Sequence, residues 1–107
     1  NMEKMLNDYQ RERAYDEDEI LQLLQTMGTF ESEEMAEIVS NFLAYLSERR
    51  EFGPVSSLRI AKQTIQTLGN IGSVKGIEEL TVVKISQYWE GSVQREAEAA
   101  LEKIQSD

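Results

Sequence analysis

A stretch of eight residues recurs 41 positions later in the chain, and this internal repeat constrains the fold more than any other feature. Residues 25–32 read QTMGTFES and residues 66–73 read QTLGNIGS, so four of the eight positions are identical and both apolar positions stay apolar. A weaker third copy lies 33 residues further on, aligning Ile60, Leu68 and Ile71 with Val93, Leu101 and Ile104. A fixed period of this length predicts a stack of similar supersecondary units.

The spacing of apolar residues predicts that these units are helical. Together with capping residues and glycines, it predicts six helices. They run from Met2 to about Arg13, from the acidic residues 16–19 to Met27, from Ser32 to about Arg50, from about Val55 to Leu68, from Ser73 to Trp89, and from Ser92 to Gln105. The β-branched residues 81–83 by themselves favour a strand. The helical pattern on both sides of them favours a helix.

Glycine and proline mark the breaks between the predicted helices. Gly28 is expected to close the second helix. Gly53 and Pro54 are expected to end the third helix and open the fourth, because glycine tolerates C-terminal cap angles and proline suits a first helical position. Gly69 and Gly72 together predict a tight turn after the fourth helix.

One repeat unit carries a recognisable motif. Within residues 60–80 stand Thr64, the turn sequence LGNIG at 68–72, and Ile77. This pattern resembles the HEAT-like repeat of the phycobilisome-lyase type, in which a Leu-Gly-x-Ile-Gly turn links two helices. Residues 93–104 are similar to the first helix of a following repeat.

The resemblance covers residues 16–105 and has visible departures. Thr64 and Thr67 stand where the family favours alanine, Ser73-Val74 replaces its Asp-Pro, and residues 27–30 keep one glycine. The matched positions are packing and turn positions, so the resemblance bears on fold far more than on function.

The resemblance implies an all-α fold: a right-handed alpha-solenoid of stacked antiparallel helical hairpins in a single domain over residues 1–107. Residues 16–50 and 55–89 would form two full hairpins, with one unpaired helix at each end. Solenoid ends need polar caps. Met2, Met5 and Leu6 in the first helix therefore predict either a longer parent protein or self-association through the end helices.

The charge balance argues against polyanionic partners. Twenty acidic and eleven basic residues give a net charge of −9, and residues 1–54 hold thirteen of the acids but five of the bases. Nucleic acids and anionic lipids bind proteins through lysine and arginine. We therefore expect no nucleic-acid binding and no direct membrane binding. No apolar run approaches the roughly 20 residues of a membrane span, so we expect a soluble chain, with the cytoplasm favoured over the periplasm.

The chain has neither histidine nor cysteine, which removes the usual general base, thiolate nucleophile and zinc ligands. The acidic run 16–19 lacks the ligand spacing of a calcium loop and is interpreted as a helix start. The turn at 69–72 lacks the Gly-Lys-Ser/Thr ending of a phosphate-binding loop. We expect no enzymatic activity, no metal and no cofactor.

In the family that the chain resembles, the second helices of successive repeats line a concave binding surface. Here these would be the third and fifth predicted helices, which give eight candidate contacts: Glu37, Asn41, Tyr45, Glu48, Glu78, Thr81, Ile85 and Tyr88. The plainer interpretation is exposed helix surface without a partner. Trp89 is interpreted as a core residue at the end of the fifth helix, and Arg49-Arg50 as a solvated helix end.

The leading functional hypothesis is an interaction scaffold that holds a protein or peptide partner on these residues. Two alternatives stay open. One is an accessory or lyase-type enzyme component, since some HEAT-like proteins have such roles. The other is a structural spacer or self-assembly element of a larger protein.

Overall fold

A computed structural model of the chain describes residues 2–10, 16–52 and 58–106. Within these residues there are six α-helices and no strand. The helices are α1 (Met2–Gln10), α2 (Glu17–Met27), α3 (Glu33–Phe52), α4 (Leu58–Ile71), α5 (Ile77–Ile85) and α6 (Gly91–Gln105), with a short 3-10 helix at Val74–Gly76. The all-α prediction is confirmed, including the helix over the β-branched residues 81–83.

Side-chain caps start α2 and α3 at the predicted residues. The Asp16 carboxylate accepts a hydrogen bond from the Asp18 N–H at 3.4 Å, and the Ser32 hydroxyl accepts one from the Met35 N–H at 3.0 Å. Both bonds satisfy N–H groups that have no partner within the first helical turn. Three predicted features lie outside the described residues: the end of the first helix at 11–13, the break at Gly53 and Pro54, and the start of the fourth helix at 55–57.

The predicted turn at residues 69–72 is displaced towards the C-terminus. Helix α4 continues through Gly69 to Ile71, and of the two glycines in the predicted turn only Gly72 has a left-handed backbone, with φ of 76°. Gly69 has a packing role, because a Cβ atom there would lie 3.1 Å from the Ala100 Cβ of α6. The prediction that both glycines form the turn is wrong, since spacing within one helix does not reveal a close approach by another.

The fifth helix is shorter than predicted at both ends. Ser73 caps the 3-10 helix, accepting from the Lys75 N–H at 3.2 Å, and α5 ends at Ile85. Ser86 then interrupts the helix, because its hydroxyl accepts a hydrogen bond from the Tyr88 N–H at 3.0 Å. Tyr88 and Trp89 therefore lie in the connecting segment 86–90 and not in the helix.

Helix α4 lies at the centre of the molecule and packs against α2, α3 and α6. Helix α5 packs against α6 and α3, and α1 packs against α2 and α3. The molecule is 39 Å by 31 Å across and 18 Å thick. That thickness fits two layers of helices, each about 10 Å in diameter.

Contacts between neighbouring helices show that three pairs run in the same direction. Arg59 near the start of α4 pairs with Glu17 at the start of α2 (2.8 Å), and further along Thr67 donates to the Leu24 carbonyl (2.9 Å). Helices α4 and α6 are parallel for the same reason, since Gln66 contacts Glu96 and, further along, Asn70 contacts Lys103. For α3 and α5 the contacts are Ser40 with Lys75, just before α5, and Ser47 with Trp89, just after it.

The core is continuous across all six helices and consists mainly of aliphatic side chains. Phe42 is its largest fully buried residue. Thr64 and Thr67 are also fully buried, and each hydroxyl donates to a carbonyl: Thr64 to Ile60 in its own helix and Thr67 to Leu24 in α2. These bonds remove the cost of burying two hydroxyl groups.

Candidate interaction surface

The predicted contact residues lie on two neighbouring parallel helices and the segment that follows. Glu37, Asn41, Tyr45 and Glu48 are in α3, Glu78, Thr81 and Ile85 are in α5, and Tyr88 is in the segment 86–90. All of them are exposed except Tyr45, which is half-buried. We call the surface formed by these eight residues the α3–α5 surface.

A surface cavity of about 310 Å³ opens between α3 and α5. Three of the predicted residues line it together: Glu37, Asn41 and Glu78. The remaining lining residues, which the sequence did not indicate as site residues, are Ser40, Lys75 and Glu79. Lys75 was missed because the 3-10 helix that carries it has no distinct sequence signal and brings this residue to α3 across 35 residues of chain.

Two contacts hold Lys75 against α3. Its carbonyl accepts a hydrogen bond from the Ser40 hydroxyl at 3.3 Å, and its ammonium lies 3.7 Å from the Glu37 carboxylate. Because both groups of that ion pair are largely exposed, the ion pair adds little stability. The hydroxyl bond, which is partly buried, fixes the position of the backbone at this edge of the cavity.

Glu79 experiences an unfavourable environment for its charge. Partial burial raises the pKa of this carboxyl, and the neighbouring carboxylates of Glu78 and Glu48 raise it further. Glu48 therefore lies close enough to influence the cavity, although it is not among the lining residues. The cavity has three carboxylates and one ammonium in its lining, so its potential is negative.

Apolar side chains extend along α5 beyond the cavity. Ile85 is 76% exposed, Val82 is 42% exposed and Tyr88 is 44% exposed. Glu78, Val82 and Ile85 are four and three residues apart, which places them on one face of the helix. The Thr81 hydroxyl donates to the Ile77 carbonyl at 2.8 Å, so its hydrogen-bonding capacity is partly used within α5. On this face the lining residue Glu78 is thus followed by an exposed apolar stripe of Val82 and Ile85, and we include Val82 in the α3–α5 surface from here on.

Tyr45 is integrated into the edge of the core. Its ring stacks against Phe42 with 6.2 Å between the ring centroids, and the Arg49 guanidinium lies 5.9 Å from its centroid. This arrangement restricts the tyrosine rotamer and leaves only part of the ring accessible. Tyr45 therefore borders the surface, whereas Ile85 and Tyr88 protrude from it.

The end of α3 fixes the segment that carries Tyr88. Trp89 is 5% exposed, which confirms the core prediction, and its indole N–H donates to the Ser47 hydroxyl at 3.1 Å. Arg50 donates to the Tyr88 carbonyl at 3.2 Å, forms an ion pair with Glu90, and places its guanidinium 5.8 Å from the indole centroid. The prediction of a solvated helix end is wrong for Arg50, because its side chain is 16% exposed.

The acidic run at residues 16–19 has a structural role. The acidic run does start α2, and two of its members, Glu17 and Asp18, pair with Arg59 of α4. Among the described residues no three acidic side chains come together in a way that would hold a metal ion. No helix in that part of the chain is long and apolar enough to cross a bilayer.

The predicted apolar end of the first helix is only partly described. The side chains of Met2 and Met5 lie outside the described residues. Leu6 is 1% exposed and belongs to the core, so the prediction that it contributes to an apolar end face is wrong. It is covered because α1 packs on both α2 and α3.

Comparison of the chain with protein-family models, with curated proteins and with solved structures gives no match.

Proposed function

We propose that this protein is a non-enzymatic interaction module that binds a protein or peptide partner on the α3–α5 surface. The observation that carries the proposal is that an acidic lining residue of the cavity, Glu78, is followed on the same face of α5 by the exposed apolar residues Val82 and Ile85. Isolated exposed apolar residues are ordinary, but a stripe of them beside convergent polar groups is typical of a recognition surface. The negative potential disfavours nucleic acid as the partner.

We further propose that the helices form a short HEAT-like α-solenoid. The supporting observation is that the spatial neighbours match the sequence repeat. Hydrogen bonds between α2 and α4 join residues 38 to 43 positions apart, near the 41-residue repeat. Those between α4 and α6 join residues 30 to 33 apart, near the 33-residue repeat. Stacked repeats give this correspondence, because each unit contacts the next at equivalent positions.

A capture experiment tests the interaction proposal. Immobilised wild-type protein and its Ile85→Ser variant are exposed to lysate of the source organism, and bound proteins are identified by mass spectrometry. Val74→Ser is the matched control, since Val74 is 65% exposed but lies in the 3-10 helix, outside the α3–α5 surface. We expect a specific protein to be retained by the wild type and by Val74→Ser and to be lost with Ile85→Ser.

Two results would contradict the proposal. One is the absence of any specifically retained protein. The other is equal retention by all three proteins, which would place the contact elsewhere on the molecule. Circular dichroism of each variant checks that the helices are intact, as expected for substitutions of exposed side chains.

A further inference from the structure

We propose that the partner segment is a basic amphipathic helix that lies along α5, with a lysine or arginine in the acidic cavity and an apolar side chain over Ile85. The inference rests on the proposed function, because it assigns a partner chemistry to the same surface. It follows from three features of that surface: its charge, the spacing of its polar and apolar parts, and the absence of a strand edge.

The charge of the cavity favours a cation from outside the chain. Lys75 is 3.7 Å from Glu37, whereas neither Glu78 nor Glu79 forms an ion pair with any cation in the described residues. Partial burial, and after it the neighbouring carboxylates of Glu78 and Glu48, raise the pKa of Glu79 and make its charge costly to hold. An ammonium or guanidinium group entering the cavity would lower that cost, since opposite charge stabilises the ionised carboxylates.

The spacing along α5 defines the pattern of the partner. Glu78 and Ile85 are seven residues apart, which is two helical turns or about 10 Å along the axis. Val82 lies between them on the same face. A partner helix that lies along α5 therefore needs its basic and apolar residues at an i, i+7 separation, with a further apolar residue between them.

The backbone of the surface favours a helical partner over an extended one. An extended peptide gains affinity by adding a strand to an open sheet edge, and the described part of the chain has no strand. A segment that covers Val82 and Ile85 loses water from its own N–H and C=O groups. A helix satisfies these groups internally, so it can cover the apolar stripe without leaving them unpaired.

Two synthetic peptides of identical composition test the pattern. The first is a fluorescein-labelled helix of about 18 residues, long enough to form in isolation, with lysine and leucine at the i, i+7 separation. The second has the same residues in scrambled order. Fluorescence anisotropy measures binding of both to the full chain. We expect the patterned peptide to bind at least roughly tenfold more tightly, because the scrambled one cannot place its cation and its apolar side chain simultaneously.

Variants of the protein test each half of the surface. Glu78→Gln with Glu79→Gln should weaken binding of the patterned peptide roughly five- to tenfold, as two partly exposed ion pairs are lost. Raising the salt concentration should also weaken binding of the patterned peptide, because salt screens the charges. The matched control is Glu98→Gln with Glu102→Gln, which removes the same charge from exposed positions of α6 and should leave binding almost unchanged.

Ile85→Ser tests the apolar half of the surface and should weaken binding of the patterned peptide roughly tenfold. Val74→Ser is its control. Equal binding of both peptides, or equal loss in the charge variant and its control, would overturn the basic-helix inference as non-specific attraction. If Ile85-dependent capture from lysate persists but the patterned peptide does not bind, the partner chemistry is wrong and the proposed function stands. If that capture is also absent, both fail.

Discussion

Replacing Gly69 by alanine should destabilise the protein even though alanine is the better helix former. Within a helix, alanine is favoured over glycine by about 1 kcal/mol. Opposing this, the new Cβ would lie 3.1 Å from the Ala100 Cβ and 3.2 Å from the Ala100 Cα. Carbon atoms in favourable contact are about 3.5 to 4.0 Å apart. The substitution therefore forces α4 and α6 apart by several tenths of an ångström.

The cost of that displacement decides the sign. Overpacking a closely packed core costs about 1 to 3 kcal/mol. Helix α6 cannot move away easily, because it packs against α5 as well as α4, and the Ala100 atoms involved include backbone. We expect a net loss of about 1 kcal/mol in the free energy of unfolding, which lowers the melting temperature by about 4 to 8 °C in a domain of this size.

Thermal unfolding followed by circular dichroism measures the effect, and a double-mutant cycle assigns its cause. Ala100→Gly should cost less in the Gly69→Ala background than in the wild type, by at least about 0.5 kcal/mol, because it removes one of the close contacts. Gly72→Ala is the control. Its φ of 76° predicts destabilisation, because a side chain is strained in this conformation. A Cβ added at Gly72 would have open space around it, so this substitution should not couple to Ala100→Gly. A higher melting temperature for Gly69→Ala would contradict this expectation and show that the contact with Ala100 relaxes at little cost.

Two further outcomes are expected. Thr67→Val removes a buried hydrogen bond to the Leu24 carbonyl without changing side-chain shape, and should lower the unfolding free energy by about 1 kcal/mol in urea titration; an unchanged midpoint would contradict this. Because the pKa of Glu79 is raised, the native state holds this proton more tightly than the unfolded state. The free energy of unfolding therefore falls as pH rises above the ordinary glutamate value of 4.5. Glu79→Gln should therefore unfold at a higher temperature than wild type at neutral pH, and the difference should vanish at about pH 4; lower stability at neutral pH would contradict it.

Local features of the sequence predicted most of the helices because short-range interactions create them. The caps at Asp16 and Ser32 and the apolar spacing that follows each one act within a single turn or a few turns of chain. The same is true of the β-branched residues 81–83, where the surrounding helical pattern outweighed their strand preference. The helix ends were less predictable. Ser86 stops α5 through its own side-chain bond, and nothing in the apolar pattern distinguishes it from a helical serine.

The candidate surface was predicted in part. The resemblance selected α3 and α5, and the structure brings Glu37, Asn41 and Glu78 to one cavity. It did not indicate Glu79 of α5, or Lys75, whose position depends on how the 3-10 helix meets α3. The sequence also provided no reason to distinguish Tyr45 from Ile85. In the structure the Tyr45 ring packs against Phe42 at the edge of the core, whereas the Ile85 side chain is exposed on α5.

Residue type and neighbours within a few positions are enough to set the helical class, the starts of α2 and α3 and the residues available for chemistry. Packing between helices, in contrast, sets the role of Gly69, the burial of Arg50 against Trp89 and the composition of the cavity. Each of these depends on contacts between residues about 30 to 40 positions apart, as in the Arg50 to Glu90 pair. Such contacts depend on how whole helices stack, and a pattern of neighbouring residues along one helix does not specify them.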